Sequence, residues 1–136
     1  WVWKHINKKK LSYTGFGGKG SQIRDVIHIL DICKLITLQI KKINNIFNFT
    51  MNVGGGKKNA ISLRDLTKIC QKITLNRMKI YSKKNTSAYD IPYYVTNNSK
   101  AKKMYNWNPQ KKIFHTVQDV YKWMMSNKKI LKKYII

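Results

Sequence analysis

The 136 residues include no glutamate, and the five acidic side chains are all aspartates. Cysteine is scarce as well. Cys33 and Cys70 lack both CxxC spacing and an accompanying secretory signal, so nothing supports a disulfide framework. Both sit at apolar positions of predicted helices and read as free core thiols of a reducing compartment. The three histidines, His5, His28 and His115, are far apart and have no ligand-like neighbours, which argues against a metal site. No apolar run approaches the length needed to span a bilayer, so no membrane partner is expected. Arginine is rare too: 25 of the 28 basic residues are lysines, and Arg24 is one of three arginines. Finally, the chain opens on Trp1 and not on methionine. The expectation is therefore a piece of a longer protein, with residues 1–10 a ragged N-terminal remnant.

What the sequence has in abundance is positive charge and apolar bulk. The formal net charge is +23, and 43% of residues are hydrophobic. A chain of this size and apolar content can bury one core, so at most one domain is expected. The charge has two readings. A small basic module would bind nucleic acid non-specifically; alternatively, the abundance of Lys, Asn and Ile reflects compositional drift of an AT-rich coding sequence. The lysines are spread along the chain and not gathered on one arm, which favours drift. Under either reading, polyanions should bind at low salt without sequence preference, because counterion release drives such binding.

The pattern along the chain is α/β. Residues 10–14 read as a short strand entering a glycine-rich turn. Gly15-Phe16-Gly17-Gly18-Lys19-Gly20 matches G-x-G-x-x-G, but the dinucleotide fingerprint needs a helix directly after the glycines and an acidic residue about 20 positions on. Here a strand-like run follows, and nothing acidic lies near position 40, so the glycines read as a turn. Asp31 is expected to cap a helix to about Ile43, with Ile32, Leu35, Ile36, Ile40 and Ile43 on its buried faces. Residues 47–53 alternate as a strand, and Gly54-Gly55-Gly56 closes it in a tight turn. Ser62-Leu-Arg-Asp65 approximates a capping box, opening a helix with Leu63, Leu66, Ile69, Cys70 and Ile73 inward. A strand over 78–81, a polar loop over 83–89, a short helix from Asn98 or Ser99 to Tyr105 and a last helix from Thr116 complete the order. The inward stripe of that last helix is expected at Val117, Val120, Tyr121, Met124 and Met125.

Five motifs then fall in one order. They are Gly18-Lys-Gly-Ser-Gln22-Ile-Arg24-Asp25-Val-Ile-His28-Ile-Leu-Asp31, Phe49-Thr-Met-Asn52-Val-Gly54, Ser62-Leu-Arg-Asp-Leu66, Asp90-Ile-Pro92, and Asn98-Ser99-Lys100-Ala101-Lys102 followed by Trp107-Asn-Pro109. Together they resemble the C-terminal, substrate-binding part of the extended short-chain dehydrogenase/reductases acting on nucleotide sugars. The glycine-lysine-glycine loop and the triple glycine look most like the CDP-paratose (CDP-tyvelose) 2-epimerase branch. The resemblance covers residues 11 to about 126.

It implies the C-terminal portion of a Rossmann-type fold, a single partial domain of short strands with crossover helices and a helical tail. It implies a nucleotide sugar as ligand, a CDP-sugar first. Arg24 would contact the diphosphate, Gln22 would lie beside it, Asp90 would contact the nucleoside, and the chain near Tyr13 to Phe16 would flank the base. Apart from the resemblance, Arg24 could make a salt bridge and Asp90 could be a turn residue. A second diphosphate arginine, expected three residues before Asp90, is replaced by Ser87, leaving Lys83 or Lys84 to compensate. The complete enzyme would hold NAD, oxidise C2 of the sugar transiently and return the hydride to the opposite face, as a possible homodimer. The cofactor fingerprint, the catalytic Tyr-x-x-x-Lys and the partnering Ser or Thr would precede this chain, so no catalytic or cofactor-binding residue is assigned within it. The strand over 47–53 would pair with that missing part. Alone, the chain should expose a face of Phe47, Phe49 and Met51, fold incompletely, bind no NAD and be inactive.

Overall fold

A computed structural model describes residues 1–45 and 50–134. The chain divides into two compact units, each assembled from separated stretches: residues 1–22, 62–92 and 114–136 in the first, and 23–61 and 93–113 in the second.

The first unit is built on two parallel strands, β1 (Leu11–Thr14) and β4 (Ile80–Lys83), in register from Leu11 opposite Ile80 to Thr14 opposite Lys83. Leu11 is buried beneath them. The N-terminal residues are not ragged. They form helix α1 (Val2–Ile6), which buries Val2, Trp3 and His5. The Trp1 indole donates to Thr67 Oγ1 at 2.9 Å, and its ring stacks on Tyr13 at 6.1 Å between centroids. Asn76 donates to the His5 carbonyl at 2.9 Å. Two of these contacts join residues 66 and 71 positions apart, so no local pattern announces the helix.

Helix α3 (Leu63–Thr74) starts as its capping box requires. Ser62 Oγ accepts from Asp65 N at 3.0 Å and donates to the Asp65 carboxylate at 2.6 Å. Hydrogen bonds from Lys68 and then Ser62 hold the Asp65 carboxyl below the usual aspartate range. Leu75 ends the helix in the left-handed conformation, φ 57°. Cys70 is fully buried, and burial pushes its thiol up to about 11. Most of α5 (Ile113–Ser126) and all of α6 (Lys128–Tyr134) form the helical tail. Within α5, Val117 is buried, but Val120 and Met125 are exposed and correct the expected inward stripe.

The second unit holds a three-stranded sheet in the order β3 (Ala60–Ser62), β2 (Ile23–Asp25), β5 (Tyr93–Tyr94). Strands β2 and β5 run parallel, with Arg24 opposite Tyr94. Its core is Leu35 of α2 (Ile29–Lys41), Ala101 and Tyr105 of α4 (Ser99–Tyr105), and Trp107, with Ile27, Leu38, Met51, Val53 and Met104 packed around them.

Four expectations are corrected here. The cap of α2 is His28, whose Nδ1 accepts from Leu30 N at 3.1 Å, and not Asp31. Asp31 is instead fully buried inside the first turn, where Oδ2 accepts from Gln110 N at 3.0 Å and Lys111 N at 2.9 Å. Its carbonyl takes the Trp107 indole N–H at 2.9 Å. One aspartate thus fastens the 107–111 segment to a helix 76–80 positions away. Secondly, Ile36, Ile40 and Ile43 are exposed, because only the Asp31–Leu35–Leu38 arc of the helix faces the core. Thirdly, Cys33 is exposed and not a core thiol. Fourthly, residues 50–53 form no strand, and Met51 lies against the core instead of on an uncovered face. Phe47 and Phe49, the rest of that expected strand face, lie outside the described residues.

Candidate functional site

In the first unit the glycine loop leaves β1 and extends the ladder by one bond, from Gly15 N to Lys83 O at 2.9 Å. Phe16 N donates to Thr86 Oγ1 at 2.7 Å. The loop needs glycine at position 20, where φ is +66° and a Cβ would lie 2.7 Å from the Tyr13 ring. Gly20 leads toward strand β2 and not into a helix, so no helix N-terminus faces a pyrophosphate here. The residues present do not fit a dinucleotide.

Arg64 anchors the same loop from α3. Its Nε and Nη2 both donate to Lys19 O, at 3.1 and 2.9 Å, and its backbone N donates to Gly20 O at 2.9 Å. Gln22 sits at the end of the loop. Its amide nitrogen donates to Thr14 O at 3.0 Å, and its backbone carbonyl accepts from Leu63 N. The side-chain oxygen Oε1 is buried with no partner among the described residues. A buried acceptor left unpaired costs about 1–3 kcal/mol.

Tyr13 is less available, since its hydroxyl donates to Thr67 Oγ1 at 3.0 Å. Asp90 lies at the end of an exposed stretch that carries Lys83, Lys84 and Ser87. Its Oδ1 accepts from Ile91 N at 3.0 Å, and its backbone N donates to Ser87 O at 3.1 Å. That is the geometry of a turn residue.

In the second unit Arg24 is half-buried on the central strand of the sheet, and Nη1 donates to the Ile23 carbonyl at 2.8 Å. Beside it, Asp25 organises the glycine triplet. Asp25 Oδ2 accepts from Gly56 N at 2.8 Å, and Oδ1 accepts from the Thr96 hydroxyl at 3.3 Å. Asn98, predicted as a helix cap, spends its side chain elsewhere. Oδ1 accepts from Gly54 N at 3.0 Å and Nδ2 donates to Gly54 O at 2.8 Å. A Cβ on Gly54 would overlap the Thr96 side chain and come within 2.5 Å of Asp25 Oδ2. The triplet is therefore occupied by packing within its own unit, as a close-passing turn, and it is not an open ligand cradle.

Gln22 and Asp90 belong to the first unit and Arg24 to the second. Sequence reasoning overlooked Asp25, Arg64, Thr86 and Asn98 as the residues that hold these loops. The adjacent Arg24-Asp25 pair was the one signal for Asp25; the other three act through partners distant in sequence. No group of three His, Cys, Asp or Glu side chains able to hold a metal occurs among the described residues. None of the described helices is long and apolar enough to cross a membrane.

No protein-family model matches the chain. Its sequence is similar to the CDP-paratose 2-epimerase of Salmonella typhi, 27% identical over 109 residues, which are 80% of this chain and 32% of that protein. It is similar also to the UDP-glucuronate 4-epimerase of Thermodesulfobacterium geofontis, 29% identical over 115 residues, 85% of this chain and 34% of the relative. The chain thus spans about a third of the length of the curated relatives it matches. Among solved structures, its fold is similar to the UDP-glucuronic acid 4-epimerase of Bacillus cereus, in complex with UDP-glucuronic acid and NAD. The TM-score is 0.77 at 19% identity, over 92% of this chain and 38% of that one. Motif order, sequence similarity and mixed α/β fold agree: the chain resembles the nucleotide-sugar epimerases of the extended short-chain dehydrogenase/reductase type, over about a third of their length.

Proposed function

We propose that this chain is the nucleotide-sugar-binding portion of an NAD-dependent epimerase. The observation that carries the reading is the similarity to two nucleotide-sugar epimerases over at least four-fifths of the chain. The ordered motifs containing Gln22, Arg24, Asp25 and Asp90 support it. Within it, Arg24 meets the diphosphate, where a planar guanidinium offers two parallel donors that a lysine cannot. Gln22 lies beside it in the substrate pocket. Asp90 contacts the nucleoside, and Lys83 or Lys84 supplies the charge that Ser87 lacks. A CDP-sugar is the first candidate ligand. NAD belongs to the complete enzyme and is held outside these residues, whose glycine loop does not fit it. The charge adds weak, salt-sensitive attraction for any polyanion.

Calorimetric titration of the complete enzyme with CDP-glucose and UDP-glucose at physiological salt tests this reading, with inorganic pyrophosphate as the control. Arg24→Ala should weaken the sugar nucleotide by about 1.5–3 kcal/mol, the loss of a charged hydrogen-bonded contact. That is about 10- to 150-fold in Kd. Unchanged affinity in the variant, or pyrophosphate binding as tightly as the sugar nucleotides, would sink the assignment.

A further inference from the structure

Helices α5 and α6 form one rod. Asn127, the residue between them, donates its backbone N–H to Trp123 O at 3.0 Å, and its carbonyl accepts from Leu131 N at 3.0 Å. The ladder of bonds to the fourth residue back thus runs on across the joint. On one side of the rod Val117 is buried, with Met124 and Leu131 half-buried at intervals of seven. On another side Val120, Trp123, Ile130 and Tyr134 are 37%, 58%, 58% and 79% exposed. With Asn127 they follow intervals of three and four, which stack side chains along one helical stripe. That stripe is about 21 Å long at 1.5 Å per residue.

The charge beside the stripe has one sign. Residues 120–134 carry Lys122, Lys128, Lys129, Lys132 and Lys133 and no acid. The one acid of the two helices, Asp119, is engaged within the chain. At 3.6 residues per turn, Lys122, Lys129 and Lys133 lie about a third of a turn round from the stripe, and all three are exposed.

This pattern selects the partner. A nucleic acid would take up the lysines but leave Val120 and Ile130 in water, since neither can stack on a base. A second copy would bring the same lysines together on two molecules each of net charge +23, which disfavours self-association. An anionic bilayer surface satisfies both features. The apolar stripe sinks among the headgroups, Trp and Tyr rings sit at the boundary of headgroup and acyl chain, and lysine stems reach back to the phosphates. None of the described helices can cross a membrane, but a helix lying in the surface needs no spanning length.

We infer that the Val120–Trp123–Ile130–Tyr134 stripe seats this part of the chain on an anionic lipid surface, with the α5–α6 rod in the plane of the headgroups. The inference does not rest on the nucleotide-sugar reading.

Trp123 supplies the readout, because Trp3 and Trp107 are buried and Trp1 is half-buried. Full-length protein is sedimented at physiological salt with vesicles of phosphatidylcholine alone, or of phosphatidylcholine and phosphatidylserine in a three-to-one mixture. Parallel samples carry bromine on the acyl chains. Binding to the mixed vesicles and not to the neutral ones is expected, with tryptophan fluorescence quenched by the brominated chains and that quenching lost in Trp123→Phe. Trp123→Ala with Ile130→Ser leaves the charge unchanged and should weaken binding by about tenfold or more. Lys129→Gln with Lys133→Gln should weaken it more than Lys57→Gln with Lys58→Gln, an equal loss of charge in the second unit. Should the stripe variant misfold by circular dichroism, quenching in the unsubstituted protein still decides. No binding to the mixed vesicles, binding without quenching, full binding by a folded stripe variant, or equal effects of the two lysine pairs would overturn the inference.

Discussion

Replacing Asp31 with alanine should be among the most costly single changes in the second unit. The carboxylate is fully buried and accepts two backbone N–H groups, from Gln110 and Lys111, at 3.0 and 2.9 Å. Hydrogen bonds to a charged group contribute about 1.5–3 kcal/mol each, so the pair is worth about 3–6 kcal/mol in isolation. Against this, Oδ1 is buried with no partner among the described residues, and its desolvation costs about 1–3 kcal/mol. With like ends of the two ranges set against each other, the net loss in Asp31→Ala is about 2–3 kcal/mol, a large part of the roughly 5–15 kcal/mol that holds a typical domain together. Asp31→Asn keeps an acceptor without the charge. Neutral bonds are about half as strong, so it should fall between the two. Urea titration reads this out, followed by circular dichroism and by fluorescence of the buried Trp107. At a slope of about 1–3 kcal/mol per molar urea, the midpoint should fall by about 1 M or more in the alanine variant. A loss below about 1 kcal/mol, or an asparagine variant weaker than the alanine one, would show that Asp31 does not clasp the 107–111 segment.

Gly54→Ala should cost about 1–3 kcal/mol, the usual penalty of an overpacked site, because the new methyl overlaps Thr96 and approaches Asp25; a melting temperature equal to the wild type would refute this. The His5 ring is fully buried, and desolvation holds its pKa below 6.5 despite the bond from its Nδ1 to the Trp1 carbonyl at 3.1 Å. The unfolded chain therefore binds the proton more readily, so stability is present above pH 6.5 and lost as pH falls from there toward the depressed value. Urea midpoints at pH 7.5 and 5 should show that loss in the wild type and less of it in His5→Gln; equal losses would remove His5 as the cause.

Legibility from sequence followed the distance over which each signal acts. Helix α3 could be read because its cap, Ser62 with Asp65, and its stripe of Leu66, Ile69 and Cys70 lie within 12 residues. Strand β1 and helix α4 likewise came within a residue of their expected bounds. Helix α1 was missed because its supports, Tyr13, Thr67 and Asn76, come from later in the chain. The buried side of α2 was misjudged for a different reason. Leucines line one side of that helix and isoleucines the other, and periodicity cannot tell which of two apolar sides is the core. At the candidate site the motif containing Gln22 and Arg24 was legible as a block of residue types. The unpaired oxygen of Gln22 and the turn-forming bond of Asp90 are matters of geometry that no spacing encodes.

The interleaving of the two units carries a consequence for how such a protein can be cut or rebuilt. The chain passes from one unit to the other four times, after residues 22, 61, 92 and 113. No single break in the coding sequence yields either unit whole, and neither can be shuffled between genes as a cassette. Ribosomal synthesis cannot finish one before starting the other, because the first unit stays open until residues beyond 113 emerge. Substitutions that tune either unit must then accumulate in place, one position at a time, within a weave that recombination cannot unpick.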